Sequence, residues 1–342
     1  MFLSILNTEV IKLRNYPKAI LLIVILCSHL IVGCEKPTKL IAASYHQFIE
    51  LAIIDADISE NGKYSLLLDV NNSVKLFNNG NFSLIKQWNN EAFTQQQYIV
   101  ALSKNNQWVV AAGKHSITFL PVKDSQNKIT WQVNGFSKDA QISKILLNSM
   151  GNKVIIGLTE GSVIVVDITN KLRSQFLLHE GPVTQLKFSD NEQNLISASL
   201  DGQVNKWQLS TGKVMWSDTL PFRITSLAFD DLSQNLFISD ALNNQRFISI
   251  DKNKEISSLS YFERNRYFRE AIFLSGTKKL LTSSSKYQIS LWDVISGNEI
   301  GQGEIRAVNF GSTVLDFALN ENNDVLTLSS DAVIEVWPSE SF

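Results

Sequence analysis

A hydrophobic residue followed directly by Ser, Asn or Asp, and then by a polar turn, occurs seven times along this chain. The seven occurrences are Ile58-Ser59, Leu102-Ser103, Leu147-Asn148, Phe188-Ser189, Phe229-Asp230, Leu274-Ser275 and Leu319-Asn320. Successive occurrences lie 44, 45, 41, 41, 45 and 45 residues apart. Such a period, carried by short strand-like segments, is typical of a β-propeller, in which each repeat forms a small sheet that buries its faces against its neighbours.

A second apolar segment follows each of these occurrences about twenty residues later. These segments are Val74 to Phe77, Ile117 to Leu120, Val163 to Val166, Val204 to Trp207, Phe247 to Ile250, Ile289 to Trp292 and Ile334 to Trp337. Most alternate apolar and polar residues, as expected for strands with one packed face. Between the two signatures lies another strand, such as 195–199, closed by a tight turn such as Asp201-Gly202. The pattern predicts an all-β, seven-bladed propeller of four-stranded antiparallel blades, with the fourth strand implied.

The fourth repeat contains the most specific motif. His179 lies just before a strand, Ser197-Ala198-Ser199-Leu200-Asp201-Gly202 closes the next strand, and Trp207 ends the third. This repeat resembles a WD repeat, and Trp292-Asp293 matches the dipeptide that names that family. The resemblance covers residues 40–337, by motif in repeats four, six and seven and by pattern in the others. It implies a structural hydrogen-bonded network of His179, Ser197 or Ser199, Asp201 and Trp207.

The seventh repeat lacks residues for its own outer strand, because the chain ends five residues after Trp337. The segment from Leu40 to Ile49 precedes the first complete repeat, and we expect it to supply the missing strand. Pairing the two ends of the chain in this way removes an open sheet edge. The predicted propeller therefore spans residues 40–337, followed by a tail of residues 338–342.

The first 33 residues have the layout of a secretory signal peptide. Three basic residues precede an apolar segment that ends at Gly33. The sequence Ile31-Val32-Gly33-Cys34 resembles the lipobox of bacterial lipoproteins, which implies cleavage after Gly33 and lipidation of Cys34. Residues 34–39 then form a short tether. A plain signal anchor is the alternative, although the apolar stretch is shorter than the ~20 residues that a spanning helix needs.

Cysteine content and charge agree with lipid attachment. Cys27 lies in the signal peptide, so the mature chain retains Cys34 alone and forms no internal disulfide. It carries 28 basic and 32 acidic residues, since residues 1–33 include three of the 31 basic and one of the 33 acidic residues. This weakly acidic balance argues against nucleic-acid binding. In the lipoprotein family, a residue other than Asp after the cysteine favours the outer membrane, and here it is Glu35.

The sequence contains no recognisable catalytic or cofactor motif. The mature chain has three histidines, His46, His115 and His179, none with metal-ligand spacing. Nucleophile elbows, P-loops and dinucleotide fingerprints are also missing from the sequence. We therefore predict a non-enzymatic lipoprotein without cofactor or metal that binds a protein of the cell envelope, outer membrane-bound and facing the periplasm. The alternatives are a periplasmic small-ligand or glycan sensor and a propeller hydrolase or lyase.

One segment combines aromatic and arginine side chains, the types that anchor protein interfaces. Its residues are Tyr261, Phe262, Arg264, Arg266, Tyr267, Phe268 and Arg269. The segment is a candidate interaction patch. Alternatively, it connects into repeat six with its rings packed between blades.

Overall fold

The chain folds into short antiparallel strands joined by tight turns. The computed structural model describes residues 36–123, 127–261, 263, 266–274, 276–285 and 287–342. The predicted signal peptide and Cys34 lie outside these residues. No helix in the described part of the chain is long and apolar enough to cross a lipid bilayer. The two short 3-10 turns are Asn90–Ala92 and Ser339–Ser341.

The strands are numbered in chain order. They are β1 (Thr38–Lys39), β2 (Ser44–Gln47), β3 (Ile53–Ile58), β4 (Tyr64–Asp69), β5 (Val74–Asn78), β6 (Leu84–Trp88), β7 (Ile99–Leu102), β8 (Trp108–Ala112), β9 (Ser116–Pro121), β10 (Ile129–Gln132), β11 (Ile142–Leu147), β12 (Lys153–Leu158), β13 (Ser162–Asp167), β14 (Leu172–Leu177), β15 (Val183–Ser189), β16 (Asn194–Ser199), β17 (Gln203–Gln208), β18 (Val214–Thr219), β19 (Ile224–Asp230), β20 (Asn235–Asp240), β21 (Gln245–Ser249), β22 (Lys254–Ser258), β23 (Phe268–Phe273), β24 (Lys279–Ser284), β25 (Gln288–Asp293), β26 (Glu299–Glu304), β27 (Val314–Leu319), β28 (Val325–Ser329) and β29 (Val333–Trp337).

The strands of the described chain form seven sheets, which are the blades of a propeller. Blades one to six begin at β3, β7, β11, β15, β19 and β23, and each contains four consecutive strands in antiparallel order. Blade seven contains β27, β28 and β29. The first strands of the blades contact one another in a closed cycle, from β3 through β7, β11, β15, β19, β23 and β27 back to β3. They therefore surround a central channel.

The N-terminal strand closes the ring. β2 pairs with β29 in antiparallel register, with Ser44 opposite Val336 and Gln47 opposite Val333. This pairing gives blade seven its fourth strand, although the two segments are almost 300 residues apart in the sequence. The predicted seven-bladed propeller, closed by a strand from the segment 40–49, is confirmed.

A fifth strand on blade six was not predicted. Thr38 and Lys39, which the sequence analysis assigned to the tether, form β1 and pair with β26 in parallel register. The physical reason is a slot beside β26, where Gly301 and Gly303 leave room for Leu40. Leu40 is 2% exposed and belongs to the hydrophobic cluster between blades six and seven. The chain thus crosses from blade six to blade seven and attaches to both.

Hydrophobic side chains fill each interface between neighbouring blades. The described residues form seven such clusters, one for each interface. The second and third strands supply most of them, because both faces of these strands pack against adjacent sheets. The outermost strands are more polar and exposed, as in β14 and β18. The core is therefore a ring of separate interfaces around the channel.

The propeller has two faces with different turns. We call upper the face that carries the turns between second and third strands and the connections between blades, and lower the face that carries the other turns. At the upper turn of blade four, Gly202 has a φ of +86°, and a β-carbon there would lie 2.4 Å from the Leu220 carbonyl oxygen. Only glycine tolerates both the positive φ and the close approach of this carbonyl group.

Candidate binding surfaces on the upper face and in the channel

The predicted network of blade four is assembled around Ser197. The indole N–H of Trp207 donates to Ser197 Oγ at 3.1 Å, and His179 Nε2 lies 2.7 Å from the same oxygen. His179 Nδ1 lies 3.6 Å from Asp201 Oδ2. Ser199 lies outside this chain of contacts and donates to the Gly181 carbonyl at 2.9 Å. The structure therefore brings together His179, Ser197, Asp201 and Trp207, with Ser199 beside them.

The contacts of His179 favour the neutral imidazole that is protonated on Nδ1. Burial lowers the pKa of His179, and the nearby Asp201 carboxylate only partly opposes this effect. Because Ser197 Oγ already accepts from Trp207, its own hydrogen is available to His179 Nε2, which leaves the Nδ1 hydrogen facing Asp201. This buried arrangement ties the connection that contains His179 to two strands of blade four, and it presents no reactive group to solvent.

Parts of this network recur in other blades. Trp292 donates to Thr282 Oγ1 at 2.8 Å and Trp337 donates to Thr327 Oγ1 at 3.1 Å, each with the ten-residue spacing of blade four. An acidic side chain also accepts backbone N–H groups at most upper turns. These acids are Asp69, Glu160, Asp201, Asp240 and Asp331. These five turns are therefore held in place by carboxylates, of which Asp69, Asp240 and Asp331 are buried.

The predicted interaction patch does not form one surface. Arg266 is 4% exposed, and its guanidinium pairs with Glu299 at 2.7 Å and contacts Ser290. It also lies over the ring of Trp292, 5.2 Å from the centroid. Phe268 is fully buried in the same aromatic cluster as Tyr261. Because these side chains are buried, the prediction of an interaction patch is corrected. The burial was not predicted, since the partners that cover these side chains are distant in the sequence.

The remaining residues of that segment either line the channel or lie outside the described residues. Tyr267 and Arg269 line the channel, and the Arg269 guanidinium lies 5.8 Å from the Tyr267 ring centroid. Phe262 and Arg264 lie outside the described residues.

Among the turns and connections, exposed apolar side chains are more numerous on the upper face than on the lower face, and a further group lies on the outer strands. Those in the turns and connections of the upper face are Leu51, Val70, Tyr98, Phe136, Leu200, Phe222, Leu242, Val308 and Phe310. The comparable residues in the lower turns are Phe82, Met150, Leu232 and Ile295. The residues of the upper face were not predicted from the sequence as binding residues. Their sequence neighbours could have indicated them, since Val70, Leu200 and Leu242 all lie within two residues of an acidic residue in a turn.

The turns that present two of these phenylalanines are rigidly held. Glu160 accepts the backbone N–H of Phe136 at 2.7 Å and that of Ser137 at 2.6 Å. Asp331 accepts the backbone N–H groups of Val308 and Asn309, and it contacts the Ser312 hydroxyl. Burial alone would raise the pKa of Asp331, but the hydrogen bonds from Ser312 and Asn309 outweigh it and lower the pKa. Phe310, fully exposed, therefore stands on an ordered loop.

The central channel is lined by charged side chains. It encloses about 990 Å³ and is lined by residues of all seven first strands. Its acidic side chains away from the lower mouth are Asp55, Asp57, Glu270 and Asp316, and its deep basic ones are Lys144 and Lys187. Glu60, Lys104 and Glu321 line the lower mouth. The charged residues away from the mouth interrupt otherwise apolar strands, and this pattern in the sequence could have indicated a charged channel.

Three channel aspartates link the first strands of neighbouring blades. Asp55 accepts the backbone N–H of Val100 at 2.8 Å, and Asp57 accepts that of Leu102 at 2.6 Å. Across the closing seam, Asp316 accepts the N–H of Ile58 at 2.7 Å. The convergence of carboxylates is what the hydrolase alternative requires, but each aspartate uses one oxygen to hold the adjacent strand.

Burial changes the pKa values in the channel. Burial, together with repulsion from Asp57, raises the pKa of Asp316 to about 8. Burial also raises the pKa of Asp55 and of Asp57 to about 6 each. For Lys144, burial disfavours the charged form, yet the carboxylates of Glu270 and Asp55 outweigh it and raise the pKa. Asp316 therefore retains its proton at neutral pH, whereas Lys144 remains charged.

Comparison with known proteins identifies one repeat by sequence. Residues 170–208 match the model of the WD40 family, described as WD domain, G-beta repeat. The matched range contains the last strand of blade three and the first three strands of blade four, including the His179 network. A WD40 repeat is therefore offset by one strand from a blade, so each sequence repeat spans two neighbouring sheets.

Three curated proteins are similar in sequence to parts of this chain. A Drosophila melanogaster retinoblastoma-binding protein 5 homolog is 22% identical over 207 residues, which are 56% of this chain and 40% of the relative. A Schizosaccharomyces pombe U3 small nucleolar RNA-associated protein 21 homolog is 28% identical over 28% of this chain and 11% of its own length. The mouse WD repeat and HMG-box DNA-binding protein 1 is 37% identical over 21% of this chain and 7% of its own. The chain spans less than half the length of these relatives.

A solved structure shows the same fold. A chain in the crystal structure of the mitotic checkpoint complex superposes with a TM-score of 0.73 at 14% identity, over 89% of this chain and 93% of that one. At this identity the likeness establishes the fold only.

The histidines of the described chain lie in separate places. His46 is in β2, His115 lies at the upper turn of blade two, and His179 precedes blade four. Among the described residues, no group of three or more His, Cys, Asp or Glu side chains has the geometry to hold a metal ion. The propeller thus offers two surfaces with distinct chemistry, the apolar upper face and the charged channel.

Proposed function

We propose that the protein is a non-enzymatic platform that binds a protein partner of the bacterial cell envelope through its upper face. The observation that carries this proposal is the group of exposed apolar side chains on that face, several of them in turns that carboxylates hold in place. Large exposed apolar groups on a soluble domain mark interaction sites. Because the turns are already ordered, binding costs little loop entropy.

Phe310 and Phe222 are the side chains most suited to anchor such a partner. Both lie in connections between blades and are exposed by 103% and 47%, respectively. Aromatic residues commonly carry the largest share of binding energy at an interface. By contrast, Leu232 is 85% exposed on the lower face and serves as a matched control.

Replacing Phe310 and Phe222 together by serine is expected to weaken partner binding at least tenfold. A photo-crosslinking residue at Val308 would first identify the partner in native membranes, and the purified pair would then be compared by calorimetry. Leu232→Ser should bind as the wild type does. The proposal would be wrong if the double variant retained full affinity, or if crosslinks arose only from the lower face.

Attachment to the membrane is the second part of the proposal. The lipobox-like sequence that ends in Cys34 supports lipidation there, and Glu35 supports sorting to the outer membrane with the propeller in the periplasm. The weakly acidic mature chain offers no basic surface for anionic headgroups, so the acyl chains must supply the membrane affinity.

Cys34→Ser is expected to move the protein from the membrane fraction to the soluble fraction. The measurement is fractionation of envelopes followed by mass spectrometry of the N-terminal peptide, which should carry a diacylglyceryl group in the wild type. Cys27→Ser is the control, because Cys27 lies in the predicted signal peptide. An unmodified wild-type Cys34, or membrane retention of Cys34→Ser, would contradict lipid anchoring.

A further inference from the structure

We infer that the central channel binds a small zwitterion, with its ammonium group against Asp55, Asp57 and Asp316 and its carboxylate group against Lys144 and Lys187. This inference goes beyond the proposed function and does not depend on the upper face. It rests on the volume of the channel, the placement of its charges and their lack of direct pairing.

The charges of the channel are separated across its axis. Asp55 and Asp57 belong to blade one and Asp316 belongs to blade seven, so the acidic wall lies at the closing seam. Lys144 belongs to blade three and Lys187 to blade four. In a ring of seven, blades three and four lie opposite the seam between seven and one. The channel therefore has an acidic wall facing a basic wall.

The two lysines are not neutralised by direct contact. Among the described residues, neither Lys144 nor Lys187 forms an ion pair or a hydrogen bond through its ammonium group. Both nevertheless lie within electrostatic range of Glu270 and Asp316. Unpaired charges in a partly desolvated site are costly, so a ligand that supplies the missing opposite charges gains their stabilisation. The cavity of about 990 Å³ has ample room for a small molecule.

The charge of the lining is close to balance, which favours a ligand without net charge. Asp55 and Asp57, with pKa values raised to about 6, supply negative charge at neutral pH, whereas Asp316 retains its proton because burial and Asp57 raise its pKa to about 8. Glu270 is a further acidic group, whose pKa burial raises. The cations that line the channel away from its lower mouth are Lys144, Lys187 and Arg269. A simple anion or cation would unbalance this lining. A molecule that is neutral overall but charged at both ends matches it.

Backbone hydrogen bonds hold the three aspartates of the acidic wall. Asp55, Asp57 and Asp316 each accept a backbone N–H through Oδ2. An ammonium group has three hydrogens, which it can donate to the carboxyl oxygens of such a wall. The same backbone bonds fix the carboxylates in place, so the acidic wall is preorganised.

The test uses a series of ω-amino acids of increasing length: glycine, 4-aminobutanoate and 6-aminohexanoate. We expect at least one of them to bind the mature protein at pH 7.5 by isothermal titration calorimetry. Hexylamine and hexanoate carry one charge each and should bind at least tenfold more weakly than the best zwitterion. Failure of all three zwitterions to bind, or equal binding by a singly charged compound, would overturn the inference.

Variants then locate the site. Lys144→Met and Lys187→Met retain most of the side-chain volume, and each is expected to weaken binding at least tenfold, whereas Lys144→Arg should retain it within a few fold. Lys138→Met is the matched control, since Lys138 is exposed and does not line the channel. Circular dichroism would verify the fold of each variant. Binding that is unaffected in both methionine variants would place the ligand elsewhere and refute the inference.

Discussion

Replacing Leu40 by alanine is expected to lower the free energy of unfolding by about 3 kcal/mol, because it empties the slot that joins blades six and seven. Leu40 is 2% exposed and packs in one cluster with Leu291 and Trp337. Its backbone N–H also donates to the Gln302 carbonyl at 2.8 Å. The shift would be measured as a lower urea midpoint with an unchanged m-value.

Two further variants distinguish loss of the Leu40 packing from a loss of stability that any substitution in the N-terminal segment would cause. Ile41→Ala alters the next residue, which is 63% exposed, and should change stability by less than about 0.5 kcal/mol. Gly303→Val should be as harmful as Leu40→Ala, because a β-carbon at Gly303 would lie 3.0 Å from both Leu40 and Trp337. Equal stability of Leu40→Ala and Ile41→Ala would show that the slot does not stabilise closure.

Raising the pH from 5 to 8 is expected to destabilise the propeller by roughly 4 kcal/mol through Asp316, since each pH unit contributes about 1.4 kcal/mol. The pKa of Asp316 is raised from 3.8 to about 8, so the folded protein holds a proton that the unfolded chain has lost. Its contribution is complete below pH 3.8 and disappears as the pH rises through about 8. Asp55 and Asp57, with pKa values raised to about 6, act in the same direction below that pH.

Urea unfolding at several pH values measures this effect. Asp316→Asn cannot lose a proton and should flatten the dependence between pH 6 and 8, while still accepting the N–H of Ile58 through its amide oxygen. Asp139→Asn changes an exposed carboxylate and should leave the wild-type slope intact. A wild-type stability that rises between pH 6 and 8 would contradict the raised pKa of Asp316.

The blades could be predicted because their information is local. Each blade is built from consecutive strands joined by short turns, so apolar alternation and turn residues recur with a fixed period. The network of blade four was also predictable, since Ser197 and Trp207 are diagonal neighbours on adjacent strands and are only ten residues apart. Ring closure followed from counting strands, because an unpaired edge must find a partner.

The channel and the buried arginine were not predictable in the same way. Asp316 and Ile58 are 258 residues apart, and only closure of the ring brings them to hydrogen-bonding distance. From its sequence Arg266 is expected at the surface, yet it is buried, where it pairs with Glu299 and lies over the ring of Trp292. Strand β1 is two residues long and has no periodic signal, so the tether prediction missed it.

The sequence alone determined the number of blades and the strand order within each blade, because both follow from contacts between neighbouring segments, and counting the strands assigned the segment that closes the ring. The tertiary structure decided which charged residues converge in the channel, which apolar residues share the upper face and where Leu40 is held. These features depend on where each blade lies around the ring. Residues from blades one and seven become neighbours only when the ring is complete, and no local pattern encodes that distance.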